Sequence, residues 1–224
     1  MPVSNPTPWK KSRTFGDKFG GRLRRRMTDN IFRRLHSLQQ PGAQDHLPIL
    51  IEDNPSRDFF FPISASEAAQ ALAELDNFVP GEITHIWLRR DNRKDSASEA
   101  RPFAEFICGR TVRVIILYPW RKDLSRYLGS KKPDQKTQKT YAKFGAEIFE
   151  SSNECYVRFS ETSLRRFYIE HLLFHEFAHH LDWYRRHWSK ANRKQVEEFA
   201  NQYAVAWSST ATEILNNLDN VPST

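Results

Sequence analysis

Residues 171–183 read HLLFHEFAHHLDW. The stretch contains neither Pro nor Gly, and Leu173, Phe174, Phe177, Ala178 and Leu181 cover most of a helix's circumference, so the spacing predicts a buried helix. Imidazoles on such a helix need partners. His175 and His179 are four apart, which places both rings on one face about 6 Å apart along the axis, the spacing from which two nitrogens reach one Zn²⁺. Glu176 follows His175 by about 100°, near enough to take a proton from a metal-bound water but turned away from ligation. His171 with His175 and Glu176 with His180 share the four-residue spacing. His171 and His179, however, are about 12 Å apart along the axis, so three rings cannot share an ion, and the pair that brackets a Glu is preferred.

Working outward, Ser160 caps a long helix expected over 161–187, and Ser189 starts another that runs to Trp207. A catalytic zinc takes three protein ligands and leaves one position to water. The second helix offers Glu197 and Glu198. With its apolar stripe centred on Val196, Ala200, Tyr203 and Trp207, Glu197 falls at the stripe's edge beside the small residues Ala200 and Ala204, whereas Glu198 falls among polar neighbours. Glu197 is the expected third ligand. Asp182 shares the stripe of His171, His175 and His179; it would orient a ligand imidazole or form a surface ion pair with Arg185 or Arg186.

HEFAHHLDW followed by EEFANQYA resembles the gluzincin zinc metallopeptidases, including the minigluzincins and the catalytic domain of anthrax lethal factor. The resemblance covers roughly residues 155–207. It implies a zincin-like α+β domain: a small, mostly antiparallel sheet packed on the active-site helix and on a following glutamate helix. It also implies peptide-bond hydrolysis with Zn²⁺ as cofactor, a protein or peptide substrate laid along an edge strand, Glu197 as ligand, Asn201 as its outer partner and Tyr203 as the family's aromatic. Asn201 lacks the charge of an Asp at that position. Nothing after Tyr203 is Tyr, His, Arg or Lys, so the scissile carbonyl would be polarised by an upstream residue, with His85, Tyr184 and His187 as candidates, by Tyr203, or by the zinc alone.

The remaining elements follow from local signals. LPILIE and FFFPI, between Leu47 and Ile63, read as extended; Ser64 and Glu67 form a capping box for a helix over 65–76. Runs at 83–90, 102–107 and 111–118 read as strands of an antiparallel sheet, the last two joined by a tight hairpin. A short helix is expected near Lys139, a second hairpin across SSNE (151–154), and a polar, frayed C-terminus.

At 224 residues the chain fits one globular domain over 45–224. Residues 1–44 read as a basic, largely disordered arm. Of the net charge of +7, residues 1–40 hold +8, from ten Lys or Arg against Asp17 and Asp29, which leaves about −1 for the rest. Within the arm, Leu23, Met27, Ile31, Leu35 and Leu38 recur at helical spacing, giving an amphipathic helix over 22–39. Residues 10–34 could meet nucleic acid or another anionic partner, and the rival reading is a nucleic-acid-binding protein with a structural or regulatory metal site. No run approaches the roughly 18 apolar residues of a membrane span. With two cysteines and no export signal, the expected setting is cytoplasmic with both thiols reduced. Nothing in the sequence sets the oligomeric state.

Overall fold

The structure is a computed structural model that describes residues 38, 40–90, 102–109, 112–186 and 188–219. Of the arm expected at 1–44, residues 1–37 and 39 lie outside them, as does His187. The chain opens with β1 (Ile49–Glu52) and β2 (Phe59–Phe60), then α1 (Ala65–Ala73). Ser64 and Glu67 close the expected capping box at the start of α1. There follow β3 (His85–Leu88), β4 (Ala104–Gly109), β5 (Val112–Leu117), β6 (Trp120–Arg121) and β7 (Ser125–Gly129). Next come α2 (Gln135–Lys143) and the hairpin of β8 (Glu147–Ser151) with β9 (Glu154–Arg158).

The C-terminal third is helical. The helix expected over 161–187 is one rod in three parts: α3 (Glu161–Arg166), a π-helical segment (Phe167–Leu173) and α4 (Phe174–Arg185). A 3₁₀ turn (Lys190–Asn192) leads into α5 (Arg193–Ala206), and α6 (Ser208–Asp219) ends the described chain. The frayed C-terminus is a misreading. Ala211, Ile214, Leu215 and Leu218 lie at i, i+3, i+4 and i+7, and this stripe packs into the core against α1 and α3.

The expectation of a mostly antiparallel sheet on the active-site helix also fails. The sheet that packs on α4 has the order β1-β3-β5-β4; β1 with β3 and β3 with β5 are parallel, and only β4 with β5 is antiparallel. The reason is burial. β3 is buried throughout and β5 nearly so, as parallel strands covered on both faces are. Within this sheet only the β4–β5 hairpin is antiparallel, and a hairpin's sense does not carry over to strands joined by longer crossovers. A separate sheet, β7-β9-β8, and the pair β2–β6 are antiparallel.

Alternation along the strands divides the sheet's faces. Ile86, Leu88, Ala104, Phe106, Cys108, Ile115 and Leu117 face the helices and join one core with Phe167, Phe174 and Phe177. Trp87, Ile107, Val112, Val114, Ile116 and Tyr118 form a second cluster on the opposite face. Buried charge is neutralised where it occurs: Glu170, 1 % exposed, is ion-paired with Lys143 and with Arg166.

Candidate metal centre

α4 and α5 pack side by side, with Ala200 and Ala204 buried in the core. These small side chains let α5 approach, and the approach brings Glu197 to the histidine face of α4. His175 Nε2 and His179 Nε2 are 3.1 Å apart. Glu197 Oε2 lies 3.5 Å from the first and 4.0 Å from the second. The point equidistant from the corners of this triangle is about 2.1 Å from each, matching the roughly 2.0–2.2 Å of Zn–N and Zn–O bonds. Among the described residues, His175, Glu176 and His179 also form a group whose donor atoms lie within 4.8 Å of one another. Two carboxylates thus surround two imidazoles, that of His179 buried and that of His175 partly exposed, a donor set suited to a divalent cation.

The electrostatics agree with that surplus of negative charge. Burial opposes the charged form of His175, but the hydrogen bond to Glu197, the charges of Glu176 and Glu197, and Asn201 together raise its pKa. His179 is pushed down to about 3 by burial and by the cationic His175. The hydrogen bond from His175 holds Glu197 below its usual value against burial, with His179 and Arg193 adding to the effect. Burial raises Glu176 to about 7, aided by Glu197 and Glu105 and opposed by His175 and the Phe106 main chain. The carboxyl of Glu176 therefore changes protonation near neutral pH, as a general base should.

Glu176 lies beside an open sheet edge. Phe103 O accepts from Tyr118 N at 3.0 Å, which makes these two a hydrogen-bonded pair. The alternation of an antiparallel ladder then turns the main-chain groups of Ala104, Phe106 and Cys108 to the side of β4 that has no neighbouring strand among the described residues.

The other expected residues are scattered around this centre. Asn201 donates through Nδ2 to the main-chain O of Glu197 at 2.8 Å and stands close enough to His175 to favour its charged form. Of its two expected roles Asp182 takes the ion pair, with Arg186, though buried and not at the surface; it does not reach the second nitrogen of either imidazole. It is fully buried, accepts from Trp188 Nε1 at 2.8 Å and ion-pairs with Arg186 Nε at 2.6 Å, while Nδ1 of both His175 and His179 has no hydrogen-bond partner. Tyr203 packs on Phe177, ring centroids 6.0 Å apart. Phe177 leaves α4 about 160–200° away from the two histidines, so Tyr203 is on the far side of the helix. Burial pushes its hydroxyl up to about 12. His85 is buried and pairs with Thr84, pointing to the sheet face opposite α4. Tyr184 is 52 % exposed and packs with Arg113 and His180.

Two neighbours escaped the sequence reading. Trp188 sets its ring edge-on to His179 at 5.3 Å, and Phe106 brings the edge of β4 to Glu176. Trp188 lies in a connector, where periodicity carries no signal; its size alone hinted at burial. Comparisons with protein-family models, with curated proteins and with solved structures find no match to this chain.

Proposed function

We propose that the chain is a zinc-dependent peptide hydrolase of the gluzincin type, with His175, His179 and Glu197 holding the metal and Glu176 as general base. The observation that carries this reading is the triangle of Nε2, Nε2 and Oε2 atoms with sides of 3.1, 3.5 and 4.0 Å. When bound there, zinc would lower the pKa of a coordinated water and polarise the substrate carbonyl. Glu176, buried and with its pKa near 7, accepts the proton of the attacking water and returns it to the leaving amine. The edge of β4 without a neighbouring strand offers the main-chain groups of Ala104 and Cys108 and the carbonyl of Phe106 to an extended peptide, the Phe106 N–H being taken by Glu176, and such a peptide would add as a further strand with its scissile bond beside Glu176. Asn201 steadies Glu197 from the next turn of α5.

Free, buried Cys108 and Cys155 suit a reducing, cytoplasmic setting. No helix among the described residues is long and apolar enough to cross a membrane. The basic segment 10–34 lies outside the described residues, so a nucleic-acid role for that segment gains no support from the structure.

Metal analysis coupled to a peptidase assay tests the proposal. Purified protein should hold about one zinc per chain. His175→Ala should lose it. Glu176→Gln should keep the metal and lose hydrolysis by roughly 10²- to 10⁴-fold. A wild-type protein that takes up no zinc, or a Glu176→Gln variant with full activity, would refute the proposal.

A further inference from the structure

The β7-β9-β8 sheet carries a row of aromatic side chains. Register sets Tyr127 opposite Tyr156 and Tyr156 opposite Phe149, so the three share one face. Cys155 and Val157, which alternate with Tyr156 along β9, are buried, and Ile148 beside Phe149 packs on the main core. The aromatic face is therefore the outer one. Phe149 is 43 % exposed. Tyr127 and Tyr156 are half-buried, with ring centroids 5.5 Å apart and planes tilted at 58°, so neither ring covers the other's face. Arg158 lies over Phe149, 5.2 Å from the ring centroid. The outer two of three strands are about 10 Å apart, and a sheet face of this kind stacks two or three bases.

Charge selects what the row meets. Residues 120–158, which contain this sheet and α2, hold nine Lys or Arg against five Asp or Glu, a net of +4. Residues 41–224 as a whole sum to −1, so the rest of the domain carries −5. Lys122, Lys131, Lys136, Lys139 and Arg158 are exposed. Arg121, though paired with Asp123, is near enough to Tyr156 for the two to act on each other's charge. On the face itself Glu154 accepts from the Tyr156 hydroxyl at 2.9 Å, and Glu147 stands opposite Arg158. A neutral sugar would gain nothing from so basic a unit, and protein interfaces are depleted in Lys. Phosphates are drawn to it, and unpaired bases stack on aromatic rings with little regard to sequence. We propose that the outer face of the β7-β9-β8 sheet binds single-stranded nucleic acid, with bases on Tyr127, Tyr156 and Phe149 and phosphates towards the Lys and Arg side chains of the same unit. The site needs neither a metal nor Glu176, so it is independent of the hydrolase reading.

Fluorescence anisotropy of the full-length chain with labelled oligo(dT), oligo(rU) and a DNA duplex of the same length tests it, all at one salt concentration. Lys and Arg elsewhere, those of residues 1–40 included, attract duplex and single strand alike, so the ratio of the two affinities isolates the rings. The wild type should bind a single strand about 10-fold tighter than the duplex. Whichever of oligo(dT) and oligo(rU) binds tighter tells DNA from RNA. Tyr156→Leu and Phe149→Leu keep apolar bulk in the strands, and each should weaken single-strand binding roughly 5- to 100-fold while leaving duplex binding unchanged. Tyr156→Trp should keep the preference, and Tyr184→Ala, which removes an exposed ring elsewhere, should leave it unchanged. A wild type that binds duplex and single strand equally overturns the proposal, as does a preference that survives Tyr156→Leu and Phe149→Leu combined. Binding to no oligonucleotide at all, the result expected of a face that meets a protein, also overturns it.

Discussion

At the scale of single residues the centre is defined by proton occupancy. A metal ligand must be a neutral imidazole, and His175 is held above its ordinary pKa by Glu197 and Glu176. In the proposed centre zinc would compete with a proton at His175, so affinity should rise with pH as that ring deprotonates and fall below it. Chelator-competition titrations between pH 6 and 8 check this; an affinity independent of pH would count against His175 as a ligand. In the metal-free protein the sign is carried by other rings. His171 and His179 are both pushed down to about 3. Unfolded, they take up protons near 6.5, while folded they resist until about 3. Each thus contributes stability that is complete above pH 6.5 and lost as pH falls towards 3. His175 works the other way, stabilising below 6.5, and so does Glu176, which, raised to about 7, gains stability as pH falls towards 4.5; the two depressed rings outweigh that one carboxyl. Thermal midpoints of stripped protein should decline from pH 6.5 to 4, and a flat profile would contradict the burial of these rings.

At the scale of elements the connector between α4 and α5 carries the tryptophan that packs on one of the proposed ligands, His179. Asp182, buried at the end of α4, accepts from Trp188, and Trp188 packs its ring against His179. In the proposed centre Asp182 would act as a positioning residue through the indole. Asp182→Ala leaves the Trp188 N–H and the Arg186 cation without their buried partner, at a cost of about 1–3 kcal/mol for the hydrogen bond alone. Trp188→Leu should weaken zinc binding by roughly 10-fold while leaving all three ligands in place. Denaturation and competition titration measure the two separately; unchanged zinc affinity in Trp188→Leu would reduce the tryptophan to a core side chain. Much of the element-level order is visible in the residues alone. The capping box at Ser64, the β8–β9 hairpin across residues 152–153, and the phases of His175, His179 and Glu197 rest on contacts within a few residues. The stripe of α6, Ala211, Ile214, Leu215 and Leu218, is also present in the residues alone, but polar neighbours on every other face mask it as a local signal.

At the scale of the whole molecule the metal would act as a clasp between α4 and α5, two helices whose other contacts are apolar and continuous with the main core. Ligand binding to the folded state alone stabilises it by about 2.7 kcal/mol at a free concentration of 100 times Kd. For a domain of this size that is an upward shift in Tm of roughly 5–11 °C. Thermal scans with and without zinc check the value, and an unshifted Tm would argue that no site links the two helices. By itself the sequence determined the helical placement of His175, Glu176, His179 and Glu197, because a period of 3.6 residues is a local property of the chain. It also determined the capped helices and the hairpins. Only the tertiary structure decided that β1, β3 and β5 run parallel, that β4 is the open edge beside Glu176, that Asp182 reaches Trp188, and that Tyr203 turns away from the centre. These depend on contacts between residues far apart in the chain, which burial of the whole sheet selects and no local spacing encodes.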